Sequence, residues 1–386
     1  MNNSVSFFAQ FPAVYETIME LLAIGLSLIA IHVGAALGYF AWAYSKALSY
    51  NPARGDPPSG HPPLSVIIPT YMEADKIEGK LNDVASQGYR GPLEIIVVDD
   101  NSPDGTADRA EAWARSRPDV EVRVIRRRSR EGKHVAEAEA ARSARGEIVV
   151  FTDADCTWSP GALEAVVGAL SDPRVGLVTC VKRPSGGSVI SKGVESSYRD
   201  LNNILRLGES ASHSTPIAHG ELLAVRRDLL LKLGGPRPGG DDSDLAHRTA
   251  VSGLRAVATP SATCFEAVPR GVDAVLWKLR RGQHLVLHFA RAIKDIRRAP
   301  RGYRLPLVME FYLHLVSPWL AVLGASLLIA AAAAGSLVAA ALLAVIVLIV
   351  VAYGGARAWA YTQLLLIAAQ VRDLWSRETV WRKLNR

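Results

Sequence analysis

Cysteine is scarce: Cys156, Cys180 and Cys264 are the only three in 386 residues, widely spaced, with no CxxC pair and one left over in any disulfide scheme. That speaks against a disulfide framework and a cysteine-held zinc site, and it suits a reducing compartment. The phosphate-cradling glycine patterns GxGxxGK and GxGxxG are also missing, which argues against a P-loop enzyme and a dinucleotide-dependent dehydrogenase. Charge is missing from two stretches, Leu21 to Ser45 and the 46 residues from Phe311 to Ala356. Each is longer than the roughly 20 apolar residues a helix needs to cross a bilayer. With 49% hydrophobic residues and a mean hydropathy of +0.14, a purely soluble protein is close to excluded. The 44 Lys and Arg outnumber the 37 Asp and Glu, giving a net charge of +7. In such a chain this excess faces an anionic membrane leaflet and calls for no nucleic acid.

The first 16 residues hold no Lys or Arg, whereas Lys46 and Arg54 follow the first apolar run. The positive-inside bias then places the N-terminus outside and the next domain in the cytoplasm. Ala41-Trp42-Ala43 resembles a signal-peptide cleavage site, but the basic leader is absent and the run is too long, so residues 1–50 are expected to be an uncleaved anchor. Residues 51–63, NPARGDPPSGHPP, form a Pro/Gly linker that cannot be helical.

From 64 to 268, β-branched runs at 65–69, 93–98, 120–125, 146–152 and 175–180 alternate with helical stretches such as 107–115 and 133–144. This alternation predicts an α/β domain with a mostly parallel sheet covered on both faces, its ligand site at the carboxyl ends of the strands. Residues 269–310 are rich in base: ten Lys or Arg and two acids lie between Arg270 and Arg304, interleaved with Trp277, Leu279, Leu285 and Phe289. Amphipathic helices at a membrane surface fit this pattern, and a solvated basic face of the domain is the plainer alternative. Residues 311–354 break at Gly335-Ser336 into two spans, near 313–333 and 337–353, which makes three transmembrane helices and returns a basic segment, 355–386, to the cytoplasm.

Asp153-Ala154-Asp155 follows the apolar run IVVFT, so two carboxylates stand where a strand leaves the sheet. Together they suit one hard divalent cation, Mg²⁺ or Mn²⁺. Asp99 and Asp100 end another strand before Asn101-Ser102-Pro103-Asp104-Gly105-Thr106. An acid there can accept hydrogen bonds from a nucleobase, while Asp100 or Ser102 can equally cap the turn. Lys133, after Gly132, opens a helix whose N-terminus can hold a diphosphate. Asp241, Asp242 and Asp244 precede His247 and Arg248 at another helix start, where they serve either the helix dipole or general-base chemistry.

In combination these motifs resemble family 2 glycosyltransferases with the nucleotide-sugar-binding GT-A fold, over about residues 64–283. VIIPTYMEAD (66–75) looks like the opening strand and loop, VVDDNSPDGT (97–106) like the base-binding segment, and GKHVAEAEAARSARGEIVVFTDAD (132–155) like the Lys helix and DxD. HGELLAVRRDLLLKLGG (219–235) looks like the acceptor-side strand, and GGDDSDLAHR (239–248) like the segment carrying the base. The resemblance implies a nucleotide base near Pro69, Tyr71, Glu73 and Asp99 or Asp100. It also implies a metal at Asp155 with Asp153, diphosphate at Lys133, and a base at Asp242 or its neighbour Asp241. WKLRR (277–281) stands where membrane-bound relatives carry Gln-x-x-Arg-Trp; Arg280 matches, the Gln and Trp do not, and this favours transfer of one sugar over processive synthesis.

The expectation is therefore an inverting, metal-dependent membrane enzyme in a reduced cellulose-synthase-like arrangement. Its donor is a nucleotide diphosphate sugar, GDP-mannose being one choice, and its acceptor a lipid-linked glycan or a polyprenyl or dolichyl phosphate. A nucleotide-sugar-binding scaffold or transporter, and a hydrolase, are the rival classes.

Overall fold

The computed structural model describes residues 3–52, 60–185, 189–237, 241–267, 269 and 271–376. A long helix, α1 (Asn3–Ala47), leads into the α/β domain. Its first half comprises β1 (Leu64–Thr70), α2 (Ile77–Ala85), β2 (Leu93–Asp99), α3 (Thr106–Ser116), β3 (Glu121–Arg126), α4 (Lys133–Ser143) and β4 (Ile148–Phe151). Its second half comprises β5 (Cys156–Trp158), α5 (Ala162–Leu170), β6 (Val175–Ser185), α6 (Val189–Ser212), β7 (Leu223–Arg226), α7 (Arg227–Leu233), α8 (Asp241–Val251) and β8 (Arg255–Ala267). Five helices close the chain: α9 (Gly271–Ala292), α10 (Arg301–Phe311), α11 (Ser317–Ala333), α12 (Leu337–Ala352) and α13 (Gly354–Asp373).

One eight-stranded sheet runs β3-β2-β1-β4-β7-β6-β8-β5. The predicted runs β1 to β4 pair in parallel; β7 is antiparallel to both β4 and β6, β8 is parallel to β6, and β5 is antiparallel to β8. The sheet is thus mixed, with the parallel half built from the first βαβ units. Period-two alternation divides its side chains between two cores: Val66, Ile68, Ile95 and Val97 face one, Ile67, Ile96 and Val98 the other. Burying each such side chain contributes about 1.5–3 kcal/mol. All three cysteines are buried and free, and burial pushes the Cys156 thiol up to about 12.

Among the described residues two helices are long and apolar enough to cross a membrane, Tyr15–Ala47 and Arg301–Ala333, and the pair α12 and α13, bent by 106°, makes up to three. The second apolar helix therefore starts at Arg301, within the region read as interfacial, and continues through a π-turn at Tyr312–Val316. Gly25 and Gly324 allow α1 and α11 to touch: a Cβ at Gly25 would lie 3.1 Å from the Gly324 carbonyl. His32 hydrogen-bonds Ser317 at 2.7 Å and receives Trp359 Nε1–H at 3.1 Å, joining α1, α11 and α13. The segment expected to be a basic tail forms α13 up to Asp373 and packs on α9; residues 377–386 lie outside the described residues. Tyr39 of α1 donates to Glu209 of α6 at 2.6 Å, so the apolar helices and the α/β domain meet directly.

Candidate active site

Parallel pairing aligns Thr70 with Asp99 and Ile67 with Phe151, so the loops after β1, β2 and β4 emerge at one edge. Pro69 lies beyond the last β4 pair, where its missing N–H leaves no ladder bond unmade. The loop after β1 is laced to the loop after β2: Met72 N–H donates to Ser102 Oγ (2.9 Å), Glu73 N–H to Thr106 Oγ1 (2.9 Å) and Ala74 N–H to Asp104 Oδ2 (3.2 Å). Met72 and Asn101 hold φ of 57° and 63°, a left-handed conformation that non-glycine residues seldom adopt and that clusters at ligand sites. The Tyr71 ring is covered by the Arg130 guanidinium, 3.7 Å from its centroid. Glu73 pairs with Lys76 at 2.9 Å.

Asp99 accepts from Ser102 N–H (3.0 Å) and Thr70 Oγ1 (3.4 Å). Asp100 accepts from Arg127 (2.5 Å), Glu131 N–H (3.1 Å) and Gly132 N–H (2.7 Å), so it ties the N-terminus of α4 to the end of β2. That is a fold-holding arrangement, favoured by the helix dipole, whereas the Asp99 carboxylate, equally buried at the end of β2, is tied only to its own loop and to Thr70. Gly132 takes a φ of 100°, open to glycine alone at little cost, and starts α4 so that Lys133 reaches Asp153 at 2.7 Å. Ala154 packs into the core between Asp153 and Asp155, both half-buried.

A cavity of about 210 Å³ opens beside these groups. Its lining includes Lys133 and Asp153, Asp242 and His219, Trp277 and Arg280 of α9, and His314, Thr362 and Leu366 of the apolar helices. Asp242 is the second residue of α8, and Gly220 makes room for it: a Cβ there would lie 2.5 Å from one carboxylate oxygen and 2.7 Å from the other. The Asp241 side chain and Gly239 and Gly240 lie outside the described residues. Of the residues singled out by sequence, the structure thus gathers Lys133, Asp153, Asp242 and Arg280 around one cavity. Pro69, Tyr71, Glu73, Asp99 and Asp100 sit on the adjoining loops and Asp155 just beyond the lining.

Residues 65–234 match the family described as Glycosyl transferase family 2. The mannosyltransferase PcManGT from Pyrobaculum calidifontis, solved in complex with GDP-Man and Mn²⁺, superposes with a TM-score of 0.83 and 44% identity, covering 93% of this chain and 100% of that one. This chain belongs to glycosyltransferase family 2. An N-acetylglucosaminyltransferase of Mesorhizobium japonicum is 27% identical over 250 residues, 60% of this chain and 58% of that protein. A dolichol-phosphate mannosyltransferase of Pyrococcus furiosus is 36% identical over 111 residues, 28% of this chain and 30% of that protein. The chain spans less than two thirds of the length of both of these curated relatives.

The glycosyltransferase domain holds, in the lining of the same cavity, a buried charge network that sequence reasoning missed. Lys182 bridges Glu221 and Glu266 (2.6 Å to the latter), and Arg281 forks across the same two acids at 2.8 and 3.1 Å. Burial pushes the Glu221 carboxyl up, yet Lys182 and Arg281 hold it well below the usual carboxylate range, and Arg281 and Lys182 act alike on Glu266. His219 is pushed well below its ordinary value by burial and then by Lys182, so it presents a neutral imidazole to the cavity. A signal was present: Lys182 falls two residues after Cys180, at a position where strand alternation calls for a core side chain.

Proposed function

We propose that this protein is an inverting, metal-dependent glycosyltransferase that moves one mannose from GDP-mannose to a lipid-linked acceptor at the cytoplasmic face of the membrane. The likeness to a mannosyltransferase solved with GDP-Man and Mn²⁺, at 44% identity across almost the whole chain, carries the donor assignment. The acceptor assignment is supported by a cavity that runs from Asp242 to the apolar helices. Cytoplasmic placement rests on the charge asymmetry around the first span.

The donor set after β4 consists of carboxylates, which suits a hard divalent cation completed by diphosphate and water. Among the described residues no three His, Cys, Asp or Glu converge as a closed metal site, consistent with a shell that the donor must complete. Asp155 and Asp153 would hold the cation, whose charge offsets that of the departing diphosphate. The nucleotide base lies against Tyr71 and Asp99. Lys133 exchanges Asp153 for diphosphate oxygens, and Arg280 supports the leaving group. Asp242 takes the proton of an acceptor hydroxyl, which attacks the anomeric carbon from the face opposite the nucleotide and inverts it. No covalent sugar intermediate is required.

A hydroxyl of a lipid-linked glycan needs that base; a polyprenyl phosphate, already an anion near neutrality, does not. The local likeness to a dolichol-phosphate mannosyltransferase favours the second acceptor over a limited segment. Purified protein in detergent, given GDP-, UDP- and dTDP-sugars with Mn²⁺ or Mg²⁺, separates the possibilities through nucleotide diphosphate release with and without each lipid. The reading expects lipid-dependent release from GDP-mannose, lost in Asp242→Asn. Transfer to a polyprenyl phosphate that survives this substitution would assign the phosphate acceptor. Donor binding without turnover under any condition would support a scaffold.

A further inference from the structure

The mechanism makes no use of Glu221, although this residue contacts chain neighbours of three of its parts. Glu221 follows Gly220, whose bare Cα faces the Asp242 carboxylate. Its carbonyl accepts from Thr152 Oγ1 (2.9 Å), Cys156 Sγ (3.4 Å) and Trp158 Nε1 (2.7 Å), so it grips the chain on both sides of Asp153 and Asp155. Its carboxylate, 1% exposed, reaches outward to Lys182 and to Arg281 of α9. Arg281 also stacks over Trp277, one helical turn earlier, with 4.4 Å to the ring centroid. Arg280, which lines the cavity next to Arg281 on the same helix, is set in place by how that turn of α9 is docked.

We propose that Glu221 is a positioning residue that joins the docking of α9 to the geometry of the reaction. Through Arg281 it fixes the height of α9 over the sheet and with it Arg280. Through its carbonyl it fixes the Asp153–Asp155 loop, and through Gly220 it fixes the depth available to Asp242. A surface-lying helix is thereby made part of the active site by one carboxylate. The inference rests on the roles given above to Asp242, Arg280 and the Asp153–Asp155 loop.

Two buried carboxylates sharing Lys182 and Arg281 also invite a purely structural account, in which the network only holds the fold together. The two accounts differ in what moves. Displacing a positioned group by about 1 Å costs on the order of 100-fold in rate while leaving distant binding contacts in place. Loss of structure lowers rate, donor binding and thermal stability together.

The test uses the full chain in detergent, with Arg281→Gln, Arg281→Lys and Glu221→Gln beside the wild type. Arg281 is the softer target because its side chain is 36% exposed. Three quantities are read: turnover of GDP-mannose with acceptor lipid, GDP affinity in the presence of Mn²⁺, and the melting temperature. Expected for Arg281→Gln is a fall in kcat of about 30- to 100-fold, a smaller loss of GDP affinity of about tenfold at most because the base and Lys133 contacts stay in place, a melting temperature lowered by no more than a few degrees, and partial recovery of kcat in Arg281→Lys. Glu221→Gln should match it, and the double variant should lose no more than either single one. If Arg281→Gln or Glu221→Gln fails to fold, Arg281→Lys decides by the same split between kcat and affinity. An Arg281→Gln enzyme with kcat within twofold of wild type, or one losing as much in affinity as in rate together with a collapsed melting temperature, overturns the inference. Wild type that turns over no donor overturns the transferase reading instead.

Discussion

Gly220→Ala is the sharpest single probe of the base, because it leaves every reactive group in the protein. The added Cβ would sit 2.5 Å and 2.7 Å from the two Asp242 oxygens, whereas ordinary contact begins at 3.4 Å. The carboxylate must therefore withdraw by about 0.9 Å, enough to lengthen a base-to-hydroxyl hydrogen bond of about 2.8 Å beyond useful reach. A displacement of that size costs on the order of 100-fold in kcat, equivalent to about 2.7 kcal/mol of transition-state stabilisation. Stability should barely change: Gly220 is not among the positive-φ glycines, and the atoms met are the tip of a flexible side chain. The chain-entropy effect of replacing glycine is about 0.4–1 kcal/mol in the stabilising direction. The assay is steady-state nucleotide diphosphate release with GDP-mannose, Mn²⁺ and acceptor lipid, alongside GDP titration and a thermal melt. Expected are a large loss of kcat, unchanged GDP affinity, an unchanged melt, and no additional loss when Gly220→Ala is combined with Asp242→Asn. A Gly220→Ala enzyme that keeps kcat within threefold would refute the assignment of Asp242 as base.

Lys133→Met removes the cation 2.7 Å from Asp153. It should raise the KM for donor about tenfold, as loss of a charge-assisted contact does, and tighten Mn²⁺ binding in the absence of nucleotide; unchanged Mn²⁺ affinity by titration would contradict the proposed exchange. Acid should destabilise the protein through His288, which burial lowers to about 3 from an ordinary 6.5. Because its folded value is depressed, the unfolded chain binds the extra proton first. This stability is full above pH 6.5 and falls by about 1.4 kcal/mol per unit as pH drops from there towards 3. Melting temperatures measured from pH 7.5 to 5 should fall less steeply in His288→Asn, which keeps a donor for the Pro216 carbonyl, and equal slopes would remove His288 from the account.

Local patterns in the chain reached as far as local physics does. The apolar runs that became β1, β2 and β4 were readable because each is buried on both faces between helices, the half-buried edge strand β3 because its β-branched residues still alternate, and Lys133 and Asp153 because they sit at element ends, where chain direction alone sets their exposure. β5 and β7 were harder. Three residues, Cys156–Trp158, carry no period, and the antiparallel placement of Leu223–Arg226 between β4 and β6 depends on a connection through α6 that no local signal encodes. The double role open to the acids after β2 was likewise beyond sequence, since only the meeting of Asp100 with Arg127 and Gly132 shows which of the two holds α4.

The Glu221 network marks the deeper limit. Its members come from β6, the β7 approach, β8 and α9, and each alone reads as a charged residue at the end of an apolar run. Leaving Glu221 without Lys182 and Arg281 would bury an uncompensated charge, at a cost of about 3–5 kcal/mol for such pairs. Lys182 keeps that carboxylate paired from within the sheet, and Arg281 adds the link to α9. What joins α9 to the sheet is thus the same set of contacts that borders Asp153, Asp242 and Arg280. For the lipid-linked acceptor proposed above, donor and acceptor would approach from different phases, and such a link would hold their binding groups in one frame.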